Sequence, residues 1–498
     1  MAPLRLSLIA TATFTAQTSG LAFNKGMLIS SITDDEWNAL NASVSGNLRN
    51  GEPITAPCYA RYNGELQTAD QCTWGIYQAT GEASTLGTLR PDILTPILDP
   101  CESVGDVQKT LKFAGDNKLR LVVKNTGHDY RGGARRQTHW LRGFHSHGCE
   151  ESTGPAITFG AGQQFGGIND FVEENGYRVI GGSSLTMGAA GGWITGGGHS
   201  LGVDNVQQLK AVLPKDDYIT ANRCQNQDLF FALRGGGGGT FAVLTEMTTR
   251  VHPKKEMQFV QMTFTTLGPI AQSKLMDVLI DSGLRWAVER WGAGTSVSLL
   301  SHEEADALMK PLAKFAATLN LGLVQVKSTD DYRERIHAFT DIINLGYAPG
   351  SAWALSSRII KRDTFSNKTN ASLVSSLTDI LNEPPDLLGP SSRILSICLK
   401  MASVYSKNLP DSDRPGEPGL ASIAPRWRDG AWQALHFRAY DGTITNPDIA
   451  DLWEPDYVGS FCGEENYERL LGIKRTVDPD NLLMGDGRFE CYPDVDES

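Results

Sequence analysis

Gly181-Gly-Ser-Ser-Leu-Thr-Met-Gly-Ala-Ala-Gly-Gly-Trp-Ile-Thr-Gly-Gly-Gly-His-Ser200 carries eight glycines in twenty residues, and Leu233-Arg-Gly-Gly-Gly-Gly-Gly-Thr-Phe-Ala-Val-Leu244 adds a run of five. A glycine inside regular structure costs about 0.5–1 kcal/mol relative to alanine, so these clusters are unfavourable unless the backbone uses their freedom. They read either as flexible turns or as backbone that something approaches closely. Hydrophobic strand residues such as Val243-Leu244 border the second stretch, which favours close approach. Consecutive amides without side chains form a concave nest of donors suited to a diphosphate, so a dinucleotide is the natural occupant.

Outward from the clusters the pattern alternates helix and strand. Val104, Val107, Leu111 and Phe113 recur at helical spacing over residues 103–119, with Asp106 near the start, where the helix dipole favours it, and Gly115 near the end, where a left-handed turn is tolerated. Residues 119–124 read as a buried strand that delivers Asn125-Thr-Gly-His-Asp129 as a loop at its mouth. Residues 155–159 read as a further strand, 168–175 as a helix, and 177–180 as a strand entering Gly181. The glycine clusters stop before Pro253, which places a domain boundary near residue 255. Beyond it, strands at 259–264 and 321–326 and helices at 271–286 and 373–381 are expected, with a loop at 410–418 and a last helix around 467–475.

The chain has 498 residues, enough for about two or three domains with cores that need no staples. Its 45 basic against 57 acidic residues repel phosphate backbones and anionic lipid, so neither nucleic acid nor a membrane surface is an expected partner. No run of 18 apolar residues is present to span a bilayer. Arg5, the apolar small-residue run 6–16, and Gly20 and Ala22 resemble a secretory leader over residues 1–22. Acceptor triplets for N-glycosylation start at Asn41, Asn367 and Asn370. Cys58, Cys72 and Cys101 gather in the N-terminal fifth, where a bridge between two of them is expected; the alternative is buried free thiols. His145, His147 and Cys149 would share one face of a strand, but three alternating ligands make poor tetrahedral geometry, and no metal is assigned.

No Gly-x-Gly-x-x-Gly follows an early strand and no Gly-x-x-x-x-Gly-Lys-Ser/Thr is present, which removes the main support for a nicotinamide site or a P-loop. A flavin remains. His128, in a glycine-flanked loop ahead of the clusters, is either a structural histidine or one whose imidazole bonds the flavin ring.

Lys124-Asn-Thr-Gly-His-Asp-Tyr130, the 181–200 stretch and Asn226-Gln-Asp-Leu-Phe-Phe-Ala-Leu-Arg-Gly-Gly-Gly-Gly-Gly-Thr240 resemble the signature segments of the berberine-bridge-enzyme-like FAD-linked oxidoreductases, within the vanillyl-alcohol-oxidase superfamily. The resemblance is nearest to fungal secreted members. It resumes at Phe461-Cys-Gly-Glu-Glu-Asn-Tyr-Glu-Arg-Leu470. It implies an α+β fold: a PCMH-type FAD-binding domain of two α/β subdomains over 94–254, preceded by an N-terminal segment over 23–93. A substrate domain with an antiparallel sheet covered by helices follows over 255–440, and the segment 441–498 returns to the FAD domain.

The same resemblance puts an 8α-histidyl FAD bond on His128 and the cofactor against Asn125, Thr126, Gly127 and Asp129. It also places FAD against Gly182, Ser184, Thr186, Gly188, Gly191, Gly192, Gly196, Gly197, Gly198 and His199, against Gly238 and Gly239, and against Asn466 and Tyr467. For Asn466 and Tyr467 the alternative is a helix packed on the core. Tyr130 is the candidate catalytic residue, the alternative being ring packing. Where many relatives carry a second, cysteinyl link, Ser184 stands here, and a hydroxyl forms no thioether. The implied reaction passes a hydride from a small organic substrate to flavin, with dioxygen as acceptor, in the manner of secondary-metabolite tailoring. Its rivals are a carbohydrate oxidase, with Trp286 or Trp291 as sugar platforms, and a non-catalytic flavin-binding protein. The chain is shorter than the family pattern between Gly133 and Gly160 and just after His199-Ser200, which puts full flavin loading in question.

Overall fold

The computed structural model describes residues 4–9, 32–50, 61–62, 65–66, 96–101, 103–124, 138–141, 144–150, 154–182, 185, 187–254, 257–264, 273–274, 277–278, 302–319, 322–329, 352–361, 364, 370–381, 393–401, 419–440 and 463–483. Most of the helix expected at 271–286, the loop at 410–418, Cys58, Cys72, Asn367, Trp286 and Trp291 lie outside them.

The chain begins with β1 (Leu4–Ile9), α1 (Asp34–Ser43), β2 (Leu48–Asn50), the short pair β3 (Arg61–Tyr62) and β4 (Glu65–Leu66), β5 (Pro96–Cys101), α2 (Val104–Asp116) and β6 (Arg120–Lys124). One sheet takes the order β2-β5-β1-β6 with antiparallel neighbours. Residues 6–9, the start of the stretch resembling a leader's apolar core, therefore lie in an inner strand paired on both edges. Helix α2 opens on a capping box in which Ser103 Oγ accepts from Asp106 N and the Asp106 carboxylate accepts from Ser103 N, so Asp106 is a cap partner as well as a dipole charge. The left-handed residue after the helix is Lys118 (φ 51°), not Gly115, which stays inside α2 because Leu119 N reaches back to Ala114 O at 2.8 Å. Val107, Leu111 and Ala114 of α2 share one core with Leu40, Val44, Leu119 and Leu121, and with Leu482 and Leu483 from the far end of the chain.

Next come β7 (Thr138–Leu141), β8 (Ala156–Gly160), α3 (Phe165–Glu174), β9 (Tyr177–Val179), β10 (Val206–Val212), β11 (Tyr218–Asn222), α4 (Gln227–Ala232) and β12 (Val243–Pro253). They build a sheet of order β11-β10-β12-β8-β7, with β9 added beside β12. Its core takes Phe159, Phe165, Phe231 and Phe241, all at most 1% exposed, and Leu470 and Ile473 from near the C-terminus.

After β12 ends at Pro253 the next strand is β13 (Met257–Phe264). Then follow α5 (His302–Leu319), β14 (Gly322–Thr329), β15 (Ala352–Lys361), α6 (Asn370–Leu381), β16 (Arg393–Met401), α7 (Arg426–Asp429), β17 (Gly430–Tyr440) and α8 (Glu464–Val477). β13 pairs with β14, and β17 is the middle strand of an antiparallel β15-β17-β16 sheet. Helix α5 packs beside β14 and α6 beside β16, so helices cover antiparallel strands in this region. No helix among the described residues is long and apolar enough to cross a membrane.

A disulfide joins Cys149 to Cys224, with Cα atoms 5.6 Å apart. The bridge expected among Cys58, Cys72 and Cys101 falls outside the described side chains. Asn222 organises the cysteine-bearing loops: its amide donates to His147 O (2.9 Å) and Gln208 Oε1 (3.1 Å), while its Oδ1 accepts from Cys224 N and Gln225 N. His147 Nδ1 pairs with Gln225 Oε1 at 2.8 Å. His145, His147 and Cys149 thus form no ligand face, since the sulfur is bonded and the His147 ring is engaged. Opening the bridge by Cys149→Ser releases a loop of 75 residues and lowers stability by about 2–4 kcal/mol, read as an earlier urea midpoint under non-reducing conditions.

Candidate functional site

Three segments far apart in the chain converge. Strand β6 ends at Lys124, and a Cβ added to Gly239 would lie 3.1 Å from Val123 Cβ. Gly237 N donates to Thr195 O at 2.8 Å, which ties the five-glycine run to the 191–198 loop. At Gly238 the nearest atoms to such a Cβ are Thr195 Oγ1 at 3.5 Å and Gly192 Cα at 3.7 Å, so no protein atom crowds that position. The mouth of β6 and two glycine loops therefore face one another across bare backbone.

Other glycines answer a different need. A Cβ on Gly181 would lie 2.4 Å from Phe165 Cε1, and one on Gly182 would lie 2.5 Å from Met187 Sδ. Gly197 (φ +106°) and Gly235 (φ +119°) both stand against the Cγ2 methyl of Ile423, at 2.7 Å from the added Cβ. At these positions protein side chains approach the backbone closely. Gly188 bridges to Gln164, Gly191 O accepts from Thr195 Oγ1 at 2.8 Å, and Gly192 O accepts from Gly196 N at 2.9 Å. Gly198 leads into a 3-10 turn, His199–Asn205, that carries the chain to β10. Asp204 within this turn is held by both Arg428 Nη atoms at 2.9 and 3.0 Å.

Asn125, Thr126, Gly127, His128, Asp129, Tyr130, Ser184 and Thr186 lie outside the described residues, as does the His199 side chain. Asn466, on the first turn of α8, donates its amide to Ile423 O at 3.0 Å, and Tyr467 is 8% exposed within the second core. These contacts pack α8 against the core and the 422–423 backbone.

Two buried cations escaped sequence reasoning. Lys474, 2% exposed, donates to Asp478 Oδ2 (2.6 Å), Thr240 O (2.8 Å) and Leu483 O (2.8 Å). All three ammonium protons are matched. The Asp478 carboxylate in turn accepts from Leu482 N and Leu483 N, and Leu121 N donates to Leu482 O at 2.8 Å. One ion pair thus fastens the end of the five-glycine run, the C-terminal segment and strand β6. The i,i+4 spacing of Lys474 and Asp478 on an amphipathic helix was the available signal, but such pairs are commonly solvated. Arg234, also 2% exposed, donates to Phe230 O, Val203 O and Leu420 O and lies over the Phe230 ring at 3.9 Å. Burial pulls its guanidinium down to about 9, against the opposing attraction of Asp204, and leaves it cationic at neutral pH.

Residues 97–222 match the FAD binding domain family, and residues 445–484 match the family described as berberine and berberine like. The FAD-linked oxidoreductase phmC of Phaeosphaeria nodorum is 33% identical over 60% of this chain and 76% of that protein. The chain belongs to the berberine-bridge-enzyme-like FAD-linked oxidoreductases. Its fold matches that of the VAO-type flavoprotein MtVAO615 from Myceliophthora thermophila, with a TM-score of 0.69, 22% identity and coverage of 93% and 95% of the two chains. A glucooligosaccharide oxidase from Acremonium strictum, described as carrying 6-S-cysteinyl, 8α-N1-histidyl FAD, matches with a TM-score of 0.62 at 16% identity over 92% and 99%.

The convergent backbone fits the cofactor of this flavoprotein family, because a dinucleotide needs close approach to backbone donors and the glycine run 235–239 brings backbone without side chains up to the mouth of β6. Lys474→Met in this oxidoreductase leaves the Asp478 carboxylate buried without its cation, at a cost of about 3–5 kcal/mol. A lowered thermal midpoint together with reduced flavin content of the purified protein is the expected outcome.

Proposed function

We propose that this oxidoreductase is an oxidase that holds FAD covalently through His128 and oxidises a small organic molecule, an alkaloid-like secondary metabolite, with dioxygen as the final acceptor. The observation that carries this reading is the contact of β6 with the five-glycine run, Val123 against Gly239. His128 stands four residues beyond Lys124, so chain length alone keeps it within about 14 Å of the strand end. When bound, FAD takes up the hydride and returns the electrons to dioxygen.

The chain's own residues orient and exclude. Asn125, Thr126, Gly127 and Asp129 flank the tether, and the Gly192–Gly198 and Gly237–Gly239 backbones approach the cofactor. Ser184 carries no thiol, so the histidyl bond is the single covalent link. Tyr130, two residues from the tether, is placed to take a proton from the substrate. The β15-β17-β16 sheet supplies the wall of the substrate cleft.

A carbohydrate oxidase is the second reading, favoured by the likeness to the glucooligosaccharide oxidase. Peroxide release separates the two: formation with indole or isoquinoline amines and none with cellobiose or maltose supports the alkaloid reading, and the reverse supports sugar. We also place the protein in the secretory pathway. The Cys149–Cys224 bridge supports this, because such bonds persist in oxidising compartments. Asn41 offers less support as a glycan site, since it sits at the end of α1 with its Oδ1 accepting from Leu48 N at 2.9 Å. Removal of residues 1–22 takes β1 out of the N-terminal sheet, so secretion with cleavage requires β5 and β6 to close without it. The N-terminal peptide of exported protein decides between the cleaved and intact forms.

His128→Ala abolishes flavin that survives acid precipitation and leaves FAD that is removable by gel filtration. Yellow, acid-precipitable protein from this variant overturns the tether. Ser184→Cys adds a second link, checked by the mass of the peptide containing residue 184.

A further inference from the structure

The segment Gly-Leu-Ala-Ser-Ile-Ala-Pro at 419–425 belongs to no motif, yet it runs between the substrate-domain sheet and the glycine loops. Its carbonyls are captured in turn. Arg469 Nη1 donates to Gly419 O at 2.9 Å, Arg234 Nη2 donates to Leu420 O, and Asn466 Nδ2 donates to Ile423 O at 3.0 Å. Ser422 N donates to Arg234 O at 3.1 Å, so the strap pairs with the residue just before the five-glycine run. Ala421, Ser422 and Ala424 are at most 2% exposed. After the short α7, the chain continues as β17, the middle strand of the substrate sheet.

Ile423 stands where the two glycine loops come together. Its Cγ2 methyl lies 2.7 Å from the Cβ position of Gly197 and 2.7 Å from that of Gly235. Neither residue has room for a side chain, and their positive φ values are ones L side chains rarely adopt. The same loops are joined by the hydrogen bond from Gly237 N to Thr195 O. The methyl and that hydrogen bond together set the spacing of the loops: the bond draws them together and the methyl limits their approach. The limiting group branches directly from Cβ and is stiff about χ1, so a side chain that branches one bond later does not place a methyl there.

We propose that Ile423 is a positioning residue for the flavin cradle, its Cγ2 methyl holding the Gly197 and Gly235 loops at the separation that FAD binding requires. This rests on FAD lying against those loops and goes beyond it in naming the side chain that spaces them. The test compares Ile423→Val, which keeps the Cγ2 methyl, with Ile423→Leu, which keeps the volume and loses it. For each variant and the wild-type reference, total flavin per folded chain is read from visible and protein absorbance after size exclusion, beside the thermal midpoint. Val retains the wild-type flavin ratio. Leu loses flavin several-fold relative to wild type. A role in core packing alone moves the midpoints and leaves the flavin ratio of the folded fraction unchanged. Equal flavin ratios for Val and Leu, or a larger loss in Val, overturn the proposal. Ile423→Ala against Ile423→Val provides the same comparison if Leu is not recovered folded. Because wild type is the reference, a loss confined to Leu concerns Ile423 and not the cofactor assignment.

Discussion

The ammonium of Lys474 joins three parts of the molecule that share no local sequence. It donates to the backbone at the end of the five-glycine run, to the carbonyl of Leu483, and to Asp478, whose carboxylate holds the amides of Leu482 and Leu483. Those residues in turn lie along β6. A buried ion pair tolerates desolvation only when its remaining donors and acceptors are matched, and here they are. The arrangement explains why a C-terminal segment must return to the FAD domain: without it, the strand that leads to His128 and the glycine run at Gly239 lose a common anchor.

The glycines of this cradle serve two purposes that composition does not separate. A Cβ on Gly238 would meet only ordinary contacts, with Thr195 Oγ1 and Gly192 Cα, whereas Gly181, Gly182, Gly197 and Gly235 are small because Phe165, Met187 and Ile423 press against them. A cofactor platform needs bare backbone on one side and firm support on the other. Close-packed side chains behind the loops provide that support, since a loop of glycines without it has too much conformational freedom to hold one shape.

The described loops that flank the glycine clusters are compact. The chain passes from Gly198 to β10 through a 3-10 turn whose buried Asp204 is clamped by Arg428, a residue on the path from the strap to β17. Cys149–Cys224 and the hydrogen bonds of Asn222 fix the loop before β8 against the end of β11. Both clamps join segments distant in sequence, so these loops are held by long-range contacts.

Local periodicity and turn chemistry were legible in the sequence. The amphipathic runs became α2, α3 and α8, the apolar stretches became β6, β8 and β12, and the FAD-linked family was carried by its glycine and histidine motifs. These signals act over a few residues, where side-chain spacing and backbone freedom dominate. What tertiary structure alone decided was the partner of each side chain. It placed Ile423 between two glycine loops, buried Lys474 beside Asp478, paired Cys149 with Cys224, gave the Asn466 amide to the strap, and set Leu4–Ile9 inside a sheet. An isoleucine, a helical lysine or an asparagine has the same local preferences whether buried or exposed. Its role is set by long-range packing that brings distant segments within contact, and no pattern along the chain encodes that meeting.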